Sequence, residues 1–144
     1  MERDTTRSLS RVLEEIRDCK EADRFIDEHA ARDSFTAYIN EKMADKGRAP
    51  AEVRDASGIS KNYFYNILNG DRKNPSRDRI IAIAVGLGLD YGETQRALEL
   101  AGKAPLYPRN VRDVKIAVLI NKGCCSVTKM NMMLEEQGIK PLEV

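Results

Sequence analysis

The stretch RDRIIAIAVGLGL, residues 77–89, constrains this chain more than any other. Apolar side chains stand on nearly every face of the helix it predicts, and Ser76 is placed to cap its start. Such a helix needs covering on all sides, and no segment of the chain approaches the ~18 to 20 apolar residues that a membrane span needs. The expectation is therefore an all-α, soluble protein with one central buried helix and others wrapped around it.

The flanking segments supply those helices. In SFTAYINEKMADKG, Ser34 is a candidate N-cap, Phe35, Tyr38, Ile39 and Met43 share a stripe, and Gly47 marks the stop. RAPAEVRDASG predicts a short helix with Pro50 in its first turn and Gly58 at its end. SGISKNYFYNILNG predicts another, capped by Ser60 and ended by the turn-forming cluster NGDRKNP. After the central helix, Asp90 and Glu93 form a capping box for YGETQRALELAG. KAPLYPRN holds two prolines and reads as a linker. VRDVKIAVLINKG and SVTKMNMMLEEQG predict two further helices, ended by Gly123 and Gly138; IAVLI is β-prone but continues a helical frame from Val111 and Val114. The first 33 residues predict two short polar helices. One carries Leu9, Val12, Leu13 and Ile16 behind a cap at Thr5 or Thr6, and the other, EADRFIDEHA, has only Phe25 and Ile26 as apolar anchors. The expected organisation is an N-terminal helical extension (1–33), a core (34–102), a linker (103–110) and a C-terminal helical hairpin (111–144).

Residues 79–102 set against 115–138, an offset of 36, show four identities, placing Ile80 on Ile116, Leu98 on Leu134, Glu99 on Glu135 and Gly102 on Gly138. That is close to chance, and the segments are read as two similar helical hairpins that stack.

Several function classes find no material. Cys19, Cys124 and Cys125 show no CxxC spacing and are expected to be inert thiols, and His29 is the only histidine, expected on a helix surface. No nucleophile stands beside a base, no glycine-rich phosphate loop exists, and acids such as Glu14, Glu15, Asp27 and Glu28 read as a solvated face. Met130, Met132 and Met133 beside Leu134 are expected to fill core. We therefore expect no enzyme, metal or cofactor. The N-terminus lacks the apolar centre of a signal peptide, which predicts a cytoplasmic protein with no membrane partner.

Net charge is +1 over 144 residues, unevenly spread. Residues 1–33 carry seven basic and ten acidic side chains, whereas residues 34–80 carry nine and six. The basic middle contains two short helices joined by a turn at Gly58, the layout of a helix-turn-helix. In the second of them, Phe64, Ile67 and Leu68 fall on one stripe with Tyr63 at its margin, while Lys61, Asn62, Tyr65, Asn66 and Asn69 fall on the other. The frame thus splits the three adjacent aromatics: Phe64 into the core, Tyr63 to the rim, Tyr65 outward. An outward face of this composition suits a major groove. Asn62 or Asn66 can pair with adenine, Lys61 can reach guanine or phosphate, and Tyr65 can pack on a thymine methyl.

From Ser34 to Leu89 the chain resembles the lambda-repressor-like (Cro-type, XRE) bacterial helix-turn-helix regulators. GIS, then Phe64 and Ile67, then NG followed by RKNPS stand where that family's pattern puts them. The continuation from Asn74 to Arg109 resembles members common in Firmicutes with an extended helical C-terminus. The resemblance implies a five-helix DNA-binding core. Lys61, Asn62, Tyr65 and Asn66 match the base-reading positions, Ser60, Asn69, Arg72, Lys73 and Asn74 would contact phosphates, and Gly58, Phe64 and Ile67 would determine the fold. Pro50 stands where the family usually has a polar phosphate contact, and Arg54 where it favours a small residue at a helix crossing. The implied function is a transcriptional regulator acting as a homodimer on double-stranded DNA, with recognition helices roughly 34 Å apart. The competing expectation is an adapter of the same fold that binds a protein partner through its N- or C-terminal helices.

Overall fold

A computed structural model of the chain describes residues 6–25, 34–72 and 74–144. Among these the structure is all-α, with no strand. Two compact units, Met1–Ser34 and Phe35–Val144, divide it. The first holds α1 (Thr6–Glu15) and α2 (Cys19–Phe25). Asp18 caps α2, its carboxylate accepting from the Glu21 N–H at 2.8 Å, and Val12 and Leu13 on α1 are exposed. Thr5, Ile26, Asp27, Glu28 and His29, like Lys73 in the second unit, lie outside the described residues.

The second unit holds α3 (Phe35–Lys46), α4 (Pro50–Ser57), α5 (Lys61–Leu68), α6 (Arg77–Leu87), α7 (Tyr91–Leu100), α8 (Val111–Asn121) and α9 (Val127–Glu136). α6 is its axis: every residue from Ile80 to Leu87 is buried. Ser76 caps it, accepting from the Arg79 N–H, and Gly88 ends it in the left-handed conformation. α3 contributes Phe35, Ile39 and Met43 to the surrounding core, α5 contributes Phe64 and Ile67, and α7 contributes Ala97 and Leu98. Burying each large aliphatic or aromatic side chain is worth about 1.5–3 kcal/mol. The closest approach is between α4 and α6. A β-carbon at Gly86 would stand 2.9 Å from the Ser57 nitrogen and 3.0 Å from the Val53 oxygen, so the missing side chain is what lets the two backbones meet. Arg54 does not obstruct this crossing; it stays at the surface, where its Nε donates to Asp55 at 3.0 Å.

The offset of 36 proves to be geometric from α7 onward. Asp90 and Ser126 are N-caps of ten-residue helices, and Gly102 and Gly138 close them with φ of 70° and 69°. Lys103 N bonds back to Leu98 O at 2.9 Å as Ile139 N does to Leu134 O at 2.8 Å. After each glycine the chain runs extended through Pro-Leu, burying Leu106 and Leu142 to the same 3% exposure. A side-chain amide brackets the backbone of each leucine. Gln95 Oε1 accepts from Leu106 N at 2.7 Å while its Nε2 donates to Leu106 O at 3.0 Å; Asn131 does the same for Leu142 at 2.8 and 3.2 Å. Arg77 donates to Ala104 O and Pro105 O, and Arg112 donates to Lys140 O and Pro141 O.

The two hairpins are also joined reciprocally. Arg77 makes a two-pronged ion pair with Asp113, and Arg112 makes one with Asp78. Each aspartate additionally accepts a backbone N–H from the opposite extended strap, Tyr107 on Asp113 and Glu143 on Asp78, both within 3.0 Å. Burial alone pushes the Asp78 carboxyl up, but the Arg112 guanidinium and the Glu143 N–H outweigh it and hold the group below its ordinary range. Residues 103–110, the expected linker, form an anchored strap, and the C-terminal hairpin shares one compact unit with the segments before it. Met130 is core, whereas Met132 and Met133, expected there too, are exposed, because they fall on the side of α9 turned away from Leu134.

Candidate nucleic-acid interface

The α4–turn–α5 segment is built around one backbone reversal. Gly58 sits at φ 73°, ψ 5°, where a β-carbon is penalised, and its N–H returns to Arg54 O at 3.1 Å. Ser57, fully buried, donates its hydroxyl to Arg54 O at 2.8 Å and accepts from the Ile59 N–H at 3.3 Å. Ile59 is itself 4% exposed, which plugs the turn into the core. Ser57 is not among the expected site residues and Ile59 enters only within GIS; a small polar residue before a turn glycine and an apolar one after it are the signals the sequence offers.

α5 is then fixed at both ends. Its inner face, Phe64 and Ile67, is completely buried. From α3, Thr36 donates to Ile67 O at 3.2 Å and Asn40 donates to Leu68 O at 3.2 Å, satisfying carbonyls that a helix C-terminus leaves open. Lys61, Asn62 and Asn66 are exposed together on the outer face. Tyr65 differs from expectation: it is half-buried, packs against the core and meets Phe64 edge-on with ring centroids 5.7 Å apart. An aromatic at a helix margin gains more by covering its neighbour than by standing in water. Ser60 is exposed and stands at the N-cap, but its side chain makes no cap bond, contrary to the expected capping role.

The loop after α5 folds back on it. Asn69 accepts the Asp71 N–H at 3.0 Å, and the Arg72 N–H donates to Asn66 O at 2.9 Å. Asn74 is exposed yet occupied, accepting from Lys103 Nζ at 2.8 Å. Arg72 is exposed, with its guanidinium over the Tyr63 ring. The structure thus brings Ser60, Lys61, Asn62, Asn66, Asn69, Arg72 and Asn74 to the exposed side of α5 and its following loop. Lys73, expected among them, lies outside the described residues. Pro50 begins α4 as anticipated and offers no side-chain donor there.

Elsewhere the surface offers less chemistry. Among the described residues no three His, Cys, Asp or Glu side chains gather as a metal site requires, and no helix is long and apolar enough to cross a membrane. On α3 and α7, Lys42 and Lys46 bind Glu93 at 3.0 and 3.3 Å. Burial pushes the Glu93 carboxyl up, yet the Asp90 N–H and these lysines outweigh it and keep it low, which marks a structural clamp.

No protein-family model matches the chain, and no solved structure does. Two curated proteins do, over 98 residues each. The trifunctional NAD biosynthesis/regulator protein NadR of Salmonella typhimurium is 28% identical, and that of Escherichia coli is 26% identical. The match covers 67% of this chain but 23% of either relative, so the chain resembles part of a protein that combines biosynthesis with regulation.

Proposed function

We propose that this chain is a sequence-specific DNA-binding transcriptional regulator of the lambda-repressor-like helix-turn-helix kind. α5 enters the major groove with Lys61, Asn62 and Asn66 toward base edges and Tyr65 at the margin, and the loop from Asn69 to Asn74 lies along the phosphates. The observation that carries this reading is the contrast across α5: an inner face with no exposure, and an outer one holding three exposed donors of the types that read bases. Similarity to a protein whose name includes a regulatory function supports the same direction. Of the functions named for those relatives, regulation is the one we carry to this chain, acting as a homodimer on two half-sites about one DNA turn apart.

Duplex-DNA binding across a salt series tests it, after selection from random sequence, with Asn62→Ala beside the native protein. Several phosphate contacts predict a steep fall of affinity with salt, and Asn62→Ala should relax the preference for one base. If no duplex is bound even at low salt, the reading fails and the protein-interaction adapter takes its place.

A further inference from the structure

Arginines in the second unit typically hold carboxylates: Arg77, Arg96 and Arg112 each do so at 2.9–3.0 Å. Arg72 and Arg79 behave differently. Both guanidiniums lie over the ring of Tyr63, with carbons 4.6 and 4.1 Å from its centroid. Among the described residues neither has a carboxylate within ion-pair distance, and the Arg79 Nε is buried with no acceptor. The three side chains come from three successive elements: Tyr63 from α5, Arg72 from the loop that leaves it, and Arg79 from the first turn of α6.

Two like charges at one ring repel, and a single tyrosine ring compensates only part of that cost. The arrangement persists because packing and the backbone of each element hold it. An anion would offset that repulsion. Guanidinium groups held by stacking lose little further freedom on binding, and their planar forks match the paired oxygens of a phosphate. We propose that Arg72 and Arg79, positioned by Tyr63, form a phosphate site that takes one backbone phosphodiester of duplex DNA beside the groove entered by α5. This rests on the DNA reading above and adds Arg79, a residue of α6, to the contact surface. Its consequence is angular: an anchor on α6, the helix against which α4 is packed most closely, ties the register of α5 in the groove to the core rather than to the loop alone.

The test measures duplex binding against salt for the native protein, Arg79→Gln, Arg79→Lys, Arg72→Gln and Asn62→Ala, with thermal unfolding of each. Arg79→Gln should weaken binding to all duplex sequences alike, roughly tenfold at low salt, and reduce the slope of log affinity against log salt by about one. Arg72→Gln should do the same, and Arg79→Lys should restore the slope. Asn62→Ala should alter base preference and leave the slope. If native protein binds DNA while folded Arg79→Gln matches it in affinity and slope, the phosphate site is refuted and the DNA reading stands. If native protein binds no duplex, both fall. Uptake of inorganic phosphate that Arg79→Gln abolishes, with DNA affinity unchanged, would overturn the DNA assignment in favour of a free anion.

Discussion

The hairpin α6–α7 and the hairpin α8–α9 share a local design and meet opposite fates. In both, an eleven-residue helix leads to a capped ten-residue helix, a left-handed glycine and a Pro-Leu strap bracketed by an amide side chain. Yet α6 is buried over its whole middle, whereas α8 leaves Val111 69% and Val118 43% exposed. The difference lies outside the hairpins. α4 packs on α6 and α3 on α7 in the first, while the second meets α4, α6 and α7 on one side and leaves Val111 and Val118 exposed on the other. Equivalent local structure therefore fixes how a hairpin closes, and its neighbours decide whether that hairpin is a core or a cover.

The contrast should break most sharply at Gly86. Gly86→Ala places a methyl group against the backbone of α4, and we expect a loss of about 3 kcal/mol in denaturant unfolding and, under the proposed function, weaker duplex binding as α4 is displaced. Next come the reciprocal ion pairs between the hairpins. Arg112→Ala leaves the half-buried Asp78 without its guanidinium and frees two strap carbonyls, and should cost about 2 kcal/mol. A double-mutant cycle with Asp78→Ala should return a coupling energy of the order of 1 kcal/mol or more; additive effects would mean that the pair does not join the hairpins energetically.

Gln95→Ala and Asn131→Ala compare the two straps directly. Each orphans one backbone N–H and one C=O, so each should destabilise by about 1–2 kcal/mol. Hydrogen exchange should show the Gln95 variant exposing amides of α6 and α8 together, because its strap lies between them in sequence and bonds to both through Arg77 and Asp113. A smaller effect is expected from pH. Asp78 and Glu93 are held below their ordinary values, so the stability they contribute is complete above about pH 4 to 4.5 and is lost as pH falls through that range into their lowered folded values. Melting temperature against pH should drop less steeply on the acid side in Asp78→Asn. The smallest change should follow Val118→Thr on the open face of α8, within about 0.5 kcal/mol; a large loss would mean that this face is covered.

Much of this was legible in the chain. The all-round apolarity of residues 77–89, the capping box at Asp90 and Glu93, Pro50 at a helix start and Gly58 at the turn are local signals, and each corresponds to a local bond or dihedral in the structure. The outward position of Lys61, Asn62 and Asn66 followed from helical frame alone. Where the outcome differs, side-chain orientation decided it rather than helical frame or residue type. Tyr65 is outward by helical frame yet half-buried against the core and Phe64, whereas Tyr63 is the half-buried rim residue that the frame predicts, with two arginines of later segments over its ring. Ser60 looked like a cap, since residue type and position suited it, but its hydroxyl does not turn toward the open N–H groups.

The resemblance between residues 79–102 and 115–138 was faint because only four identities carried it. The bonds that make the hairpins equivalent involve Gln95 against Asn131, which differ in letter, and backbone atoms; the repeated Pro-Leu of the straps lies beyond those segments. Period, capping and turn chemistry are interactions over four residues or fewer, so they are written in the order of the amino acids, and they specified the helices and the exposed face of α5. The strap geometry, the reciprocal Arg–Asp pairs and the two arginines on Tyr63 join groups 9 to 36 residues apart. Only the packing of α6 among its neighbours brings those groups within reach, and so only the tertiary structure could assign them.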